Sequence, residues 1–287
     1  MDGGSFFSDL LAFPFLRYAA AAGVLSSVAC GVVGSYVTVK RIGYIAGAIA
    51  HSVLAGMGAA RYLRVVAGWS WLTPVQGATA AAVVAALIVG AVSLRGRERV
   101  DTVLGAIWSI GMAVGILFIQ ATPGYSQELM SYLFGNILLV SPEDLAAIAV
   151  LDLVVVGVAL LFYNNLLAIA FDEEFARLRG VKTDRTYLLL LVLTALTIVT
   201  LAQVVGILMV IALLTLPAAT ASGLTRRLWQ MVILSIALSI LYTTGGLALS
   251  YGPNLPAGAT IILFAGGIYL LAIAAQALLR RLRRVRG

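Results

Sequence analysis

His51 is the only histidine in the chain, and it sits within an apolar run. An imidazole suits zinc and other transition metals. An ionisable side chain at membrane depth marks a functional position by default. The plainer role is a hydrogen bond to a neighbouring helix. Asp152 lies inside a second apolar run, AVLDLVVV. A carboxylate there is costly without a partner, so it either helps to bind a cation or pairs with a helix-end serine or a backbone amide. Cys30 is the single cysteine. It excludes an intrachain disulfide and a cysteine-built metal cage, and in its apolar setting it reads as a small packing residue.

These groups need elements that can hold them in a non-aqueous solvent. The 287 residues are 62% hydrophobic and 11% charged, with a mean hydropathy of +1.05. A soluble domain carries about 25% charged residues. The apolar runs reach about 20 residues, the length of a helix that crosses a bilayer and too long for barrel strands. An all-α, polytopic membrane bundle is therefore expected. The runs fall near 16–38, 45–63, 74–94, 102–120, 145–165, 187–204, 206–222, 228–250 and 257–279. That gives eight or nine spans, depending on whether 187–204 and 206–222 are separate. The piece 130–140 is too short to span and reads as re-entrant or interfacial. Pro217 is expected to bend or break its segment, and Pro253 and Pro256 to mark a tight turn. Small residues (Gly23, Ser27, Gly31 and Gly34 in one span, Gly105, Gly111 and Gly115 in another) suit close helix packing.

Sixteen of the 19 Lys and Arg residues fall on one side if Lys40 and Arg41 are placed in the cytoplasm and the spans alternate. The positive-inside rule then puts the N-terminus outside and the C-terminus inside. The net charge of +7 reflects these loops and the basic tail rather than nucleic-acid binding. The N-terminus carries Asp2 and Asp9 in place of a basic region, so no cleavable signal peptide is expected. Glu128, Glu143 and Asp144 lie on the outer side, as an acidic vestibule that attracts cations or as ordinary solvated loop residues. Ser141-Pro142 also reads as a helix start whose following acids favour the dipole. The largest inner loop is 168–186, AIAFDEEFARLRGVKTDRT. Its acids Asp172, Glu173 and Glu174 precede its bases, as a helix dipole favours, and Gly180 fits a helix C-terminal cap. It is either a solvated interfacial helix or a docking helix for a cytoplasmic ATPase. No Walker-type phosphate loop occurs in the chain, so uphill transport would draw on a partner or an ion gradient.

The 171–181 stretch resembles the coupling loop of ABC importer permeases with the vitamin B12 and iron-chelate type of fold. KRIGYIAGAIAHSVLAG (40–56), DTVLG (101–105), ELMSYLFGNILLVSPEDL (128–145), LLTLPAATA (213–221) and NLPAGATIIL (254–263) resemble, in order, motifs of the zinc and manganese uptake permeases within that group. The resemblance implies one transmembrane permease domain over 1–287, working by alternating access in a bacterial cell membrane. It implies a second permease subunit, identical or not, an ATPase dimer below that binds and splits ATP, and an extracytoplasmic metal-binding protein. The transported divalent metal, with zinc ranked ahead of manganese and ferrous iron, would be cargo rather than a stably bound cofactor. Phe171, Asp172, Glu173, Glu174, Arg177, Gly180 and Val181 would form the ATPase dock.

The family's histidine, matched by His51, pairs with an aspartate four residues earlier, on the same helical face. This chain has Gly47 there, and Asn136 where the family's LFGD motif has a second acid. One imidazole and one amide make a poor cation site, so Asp152 is a candidate replacement, or the ion binds weakly in transit. The alternatives are a permease for a metal chelate or cobalamin, which needs no protein ligands, and an ion-gradient-driven secondary transporter. The second class often shows inverted repeats, and none is evident here. A single histidine with scattered acids makes no catalytic constellation, so the chain does not read as an enzyme.

Overall fold

Each long apolar run becomes a helix whose ends the local sequence marks. The computed structural model describes residues 6–96, 99–123, 135, 137–253 and 255–285. After the short α1 (Phe6–Ala12) come α2 (Pro14–Val39), α3 (Gly43–Val65), α4 (Pro74–Arg95), α5 (Val100–Ala121) and α6 (Pro142–Leu161). Next come α7 (Tyr163–Phe171), α8 (Glu173–Leu178), α9 (Thr183–Val205), α10 (Ile207–Ser222), α11 (Leu228–Tyr251) and α12 (Ala257–Val285). No strand occurs among the described residues. Proline occupies the first turn of α2, α4 and α6, where its missing N–H costs nothing. Thr73 with Gln76 and Ser141 with Asp144 close reciprocal caps at the starts of α4 and α6.

Among the described residues, eight helices are long and apolar enough to cross a bilayer: α2–α6, α9, α11 and the first 22 residues of α12. The ninth apolar run is α10, whose 16 residues extend about 24 Å, short of a hydrocarbon core of about 30 Å. The break between α9 and α10 is a single residue, Gly206, at φ 88 and ψ 152, a conformation that side chains disfavour. The expected break at Pro217 does not occur: α10 runs through it as an unbroken helix. Its neighbours enclose the proline completely enough to hold the helix through one missing hydrogen bond. Of the expected re-entrant piece 130–140, Gly135 and residues 137–140 are described, with one 3-10 turn at Ile137–Leu139 and Ile137 buried beside α2.

The centre of the bundle is α2, α3 and α9, the spans most buried within it, while α5, α6 and α12 turn most of their surface outward. The small residues of α2 explain its position. Gly23 meets Thr243 and Gly31 meets Ile236, so α2 and α11 run antiparallel, and a Cβ at Gly31 would fall within 2.8 Å of the Ile236 backbone. Gly34 lies directly against the Leu214 carbonyl of α10. Helix α5 runs parallel to α3, with Trp108 beside Gly47, Gly111 beside Ser52 and Gly115 beside Leu54. Close backbone approach replaces the hydrophobic drive that lipid cannot supply. Gly105, the remaining glycine expected in that stripe, faces open space.

Candidate functional site

Two regions carry the candidate residues. The first is the end of the bundle where α2, α4, α7, α8 and α9 meet. Asp172 caps α8, its Oδ1 accepting from the Phe175 N–H at 2.9 Å. The helix ends as Gly180 takes φ +82, donating to the Arg177 carbonyl while Val181 donates to that of Ala176. That pair of bonds is a Schellman cap. Ala176 faces the bundle and is fully buried. Phe171, Phe175 and Leu178 point away and are 67%, 53% and 87% exposed. Phe175 and Leu178, three residues apart on α8, share one face, and Phe171 ends α7 just before the Asp172 cap. Arg179 lies over the Phe175 ring at 5.2 Å, and Arg177 pairs with Asp184 at 3.1 Å. Glu174 and Val181 border open clefts on either side of α8.

Lys40, at the end of α2, ties α8 to the bundle. Its Nζ donates to the Ile169 carbonyl at 2.9 Å and contacts the Glu173 carboxylate at 2.5 Å. The same ammonium lies 5.8 Å from the centre of the Tyr187 ring, and the Tyr187 hydroxyl bonds to Ser93 of α4. Lys40 was counted in the sequence only as a cytoplasmic charge. Its partners lie 129 and 133 positions away, beyond any local pattern.

The second region surrounds His51, buried at 7% exposure in α3. Its imidazole stacks on the Trp108 indole with centroids 4.3 Å apart and planes 20° from parallel. A Cβ at Gly47 would touch that indole at 3.4 Å from Cζ3. Trp108 was not singled out in the sequence, and no spacing rule connects it to His51.

Asp152 does not join His51. Helix α6 packs on α2, α9 and α7, whereas α3 packs on α5, α4 and α9. Asp152 Oδ1 accepts from the Ala29 N–H of α2 at 3.0 Å, and its Oδ2 is buried with no partner among the described residues. The sequence raised a backbone amide as one partner for this acid, and that is the contact found. Asp144 turns its carboxylate back onto the Ser141 N–H and hydroxyl, at 2.9 and 2.7 Å, while Glu143 is exposed. Glu128 and Asn136 lie outside the described residues. Among the described residues, no three of His, Cys, Asp and Glu gather closely enough to hold a metal ion.

The chain has relatives of matching length. It is 39% identical over 269 residues to the "Probable metal transport system membrane protein" of Chlamydia trachomatis, covering 94% of this chain and 90% of that one. It is 33% identical over 267 residues to the manganese transport system membrane protein MntC of Halalkalibacterium halodurans, covering 93% and 89%. Among solved structures it is similar to PsaBC from Streptococcus pneumoniae in complex with Fab. That match has a TM-score of 0.82 and 30% identity, and covers 93% of this chain and 94% of that one. The sequence pattern of the ABC 3 transport family matches residues 12–276. With eight spanning helices, a capped helix at one end of the bundle and a match over nearly its whole length, the chain belongs to the ABC 3 transport family as a membrane permease.

Proposed function

We propose that the chain, as a single permease domain, imports a divalent metal ion within an ATP-binding cassette importer. His51 is the pathway ligand, and α8 is the dock for a cytoplasmic ATPase dimer that binds and splits the ATP. The observation that carries this reading is the lone imidazole, buried in one of the three central spans of a chain whose relatives are named for metal transport. Manganese is the first candidate because that relative carries its name. Zinc is the second because imidazole suits it better. One imidazole holds an ion weakly, which a pathway tolerates because the ion must also leave.

The dock rests on exposed Phe171, at the end of α7, with Phe175 and Leu178 of α8, apolar side chains rimmed by charge. The contacts of Lys40 with Glu173 and of Tyr187 with Ser93 gather the basic turns at one end, which supports a cytoplasmic face there and an external N-terminus. Glu143 faces the opposite side, where an extracytoplasmic metal-binding protein would deliver its ion. A second permease subunit completes the membrane core.

The test is uptake into liposomes holding the permease, its ATPase and the binding protein. Mn²⁺ and Zn²⁺ accumulation is followed with ATP hydrolysis for wild type, His51→Ala and Phe175→Glu. His51→Ala is expected to slow uptake in an intact complex, and Phe175→Glu to lose the ATPase. Wild-type uptake by His51→Ala would remove the histidine from the pathway. Movement of chelated but not free metal would replace the substrate.

A further inference from the structure

The missing ligand at position 47 has an occupant. Gly47 and His51 are one turn apart on α3, and the indole of Trp108 covers both, stacking on one and filling the space above the other. The placement is set by α5, which closes on α3 through Gly111 and Gly115. A Cβ at Gly111 would lie 3.0 Å from the Ser52 Cα, and one at Gly115 would lie 2.8 Å from the Leu54 carbonyl carbon. With the two backbones this close, Trp108, three residues before Gly111, lies over the Gly47–His51 turn. Tyr44 lies one turn before Gly47 on α3, its ring 6.4 Å from the indole and mostly exposed.

We propose that Trp108 is the positioning residue of the metal pathway, clamping one face of the His51 ring and occupying the volume that a carboxylate at position 47 would need. The proposal rests on His51 being the pathway ligand. A stacked ring keeps both nitrogens in its own plane, so the imidazole presents an in-plane lone pair with its orientation fixed. The indole nitrogen only donates, so the stacked face offers the cation no ligand. Gly47 and Trp108 form a size-matched pair: a methyl at 47 meets the indole at van der Waals distance, and a longer side chain has to displace it.

The chain has four tryptophans, so replacing Trp69, Trp71 and Trp229 by phenylalanine leaves Trp108 as the sole reporter. In lipid nanodiscs, Mn²⁺, a paramagnetic quencher, is expected to quench its emission saturably, with Zn²⁺ competing and Mg²⁺ inert. His51→Ala is expected to leave only linear, collisional quenching. In the complete transport complex, Trp108→Leu is expected to lower Mn²⁺ uptake by up to about tenfold, the size of an aromatic stacking contribution, while Trp108→Phe restores most of it. Gly47→Asp is expected to abolish uptake beside Trp108 and to regain Mn²⁺ binding when combined with Trp108→Ala. Saturable, His51-dependent quenching with wild-type uptake by Trp108→Leu would overturn the positioning role and leave His51 as ligand. Wild-type uptake by Gly47→Asp alone would overturn the size-matched pair. Wild-type uptake and quenching in His51→Ala would remove the metal reading and this proposal together.

Discussion

Removing the Lys40 ammonium should loosen α8 from the bundle without unfolding either. The Lys40 and Glu173 side chains are 17% and 34% exposed, between a surface pair and a buried one. Exposed pairs contribute about 0–1 kcal/mol, and breaking a buried one costs about 3–5 kcal/mol. A half-buried pair with an additional bond to the Ile169 carbonyl falls near 2 kcal/mol, so Lys40→Met should cost about 2 kcal/mol. Glu173→Gln keeps an acceptor and loses only the charge, for about 1 kcal/mol. A double-mutant cycle isolates the pair. Thermal unfolding in detergent should give a coupling energy of about 1 kcal/mol, with Lys40→Met melting roughly 4 °C below wild type. In liposomes with a partner ATPase, the same variant should still support ATP hydrolysis while moving less metal, because α8, the proposed dock, is no longer tied to α2. Additivity of the two single changes to within about 0.5 kcal/mol would refute the tie, and so would Lys40→Met unfolding with the wild type.

Four further outcomes follow from the packing and the backbone. Asp152→Leu removes an acid whose Oδ2 has no partner among the described residues. It should leave thermal stability unchanged or raise it by about 1 kcal/mol, and a loss above about 3 kcal/mol would mean that the carboxylate is paired. Gly34→Val drives a side chain into the Leu214 carbonyl and should cost about 3 kcal/mol or more in unfolding measurements. Gly105→Ala, with open space around it, should gain up to about 1 kcal/mol. Arg41 is the one non-glycine residue at positive φ among those described, at 60°. Arg41→Gly should therefore gain about 1 kcal/mol in the same assay.

What was legible in the chain is what local rules govern. The apolar runs became helices, Ser141 and Pro142 opened α6 as a cap and first turn, and Gly180 closed α8. Each of these depends on residues within a turn or two of one another. That α10 is unbroken at Pro217 while α9 stops at Gly206 has a local cause too. Pro217 costs one hydrogen bond that packing can absorb, whereas Gly206 adopts a backbone angle that stops the helix outright. Illegible were the contacts that folding brings from afar. Asp152 meets a backbone N–H 123 positions away, and His51 meets an indole on another helix. Hydropathy places both acid and imidazole at depth but does not say which neighbour each will face. The two families of contact obey different distances in the chain, and only the short ones leave a pattern.

The 26 residues of α2 make a rod about 39 Å long, held around its middle by tight packing on α11 and α10. One end of the rod carries Lys40, and its flank at Gly23, about one turn from the middle, touches the Ile137 turn. A rod pinned at its centre is a lever. A tilt of about 5° about that fulcrum displaces each tip by roughly 1.7 Å in opposite directions. Under such a tilt the Lys40 end and the Pro14 end move in opposite directions.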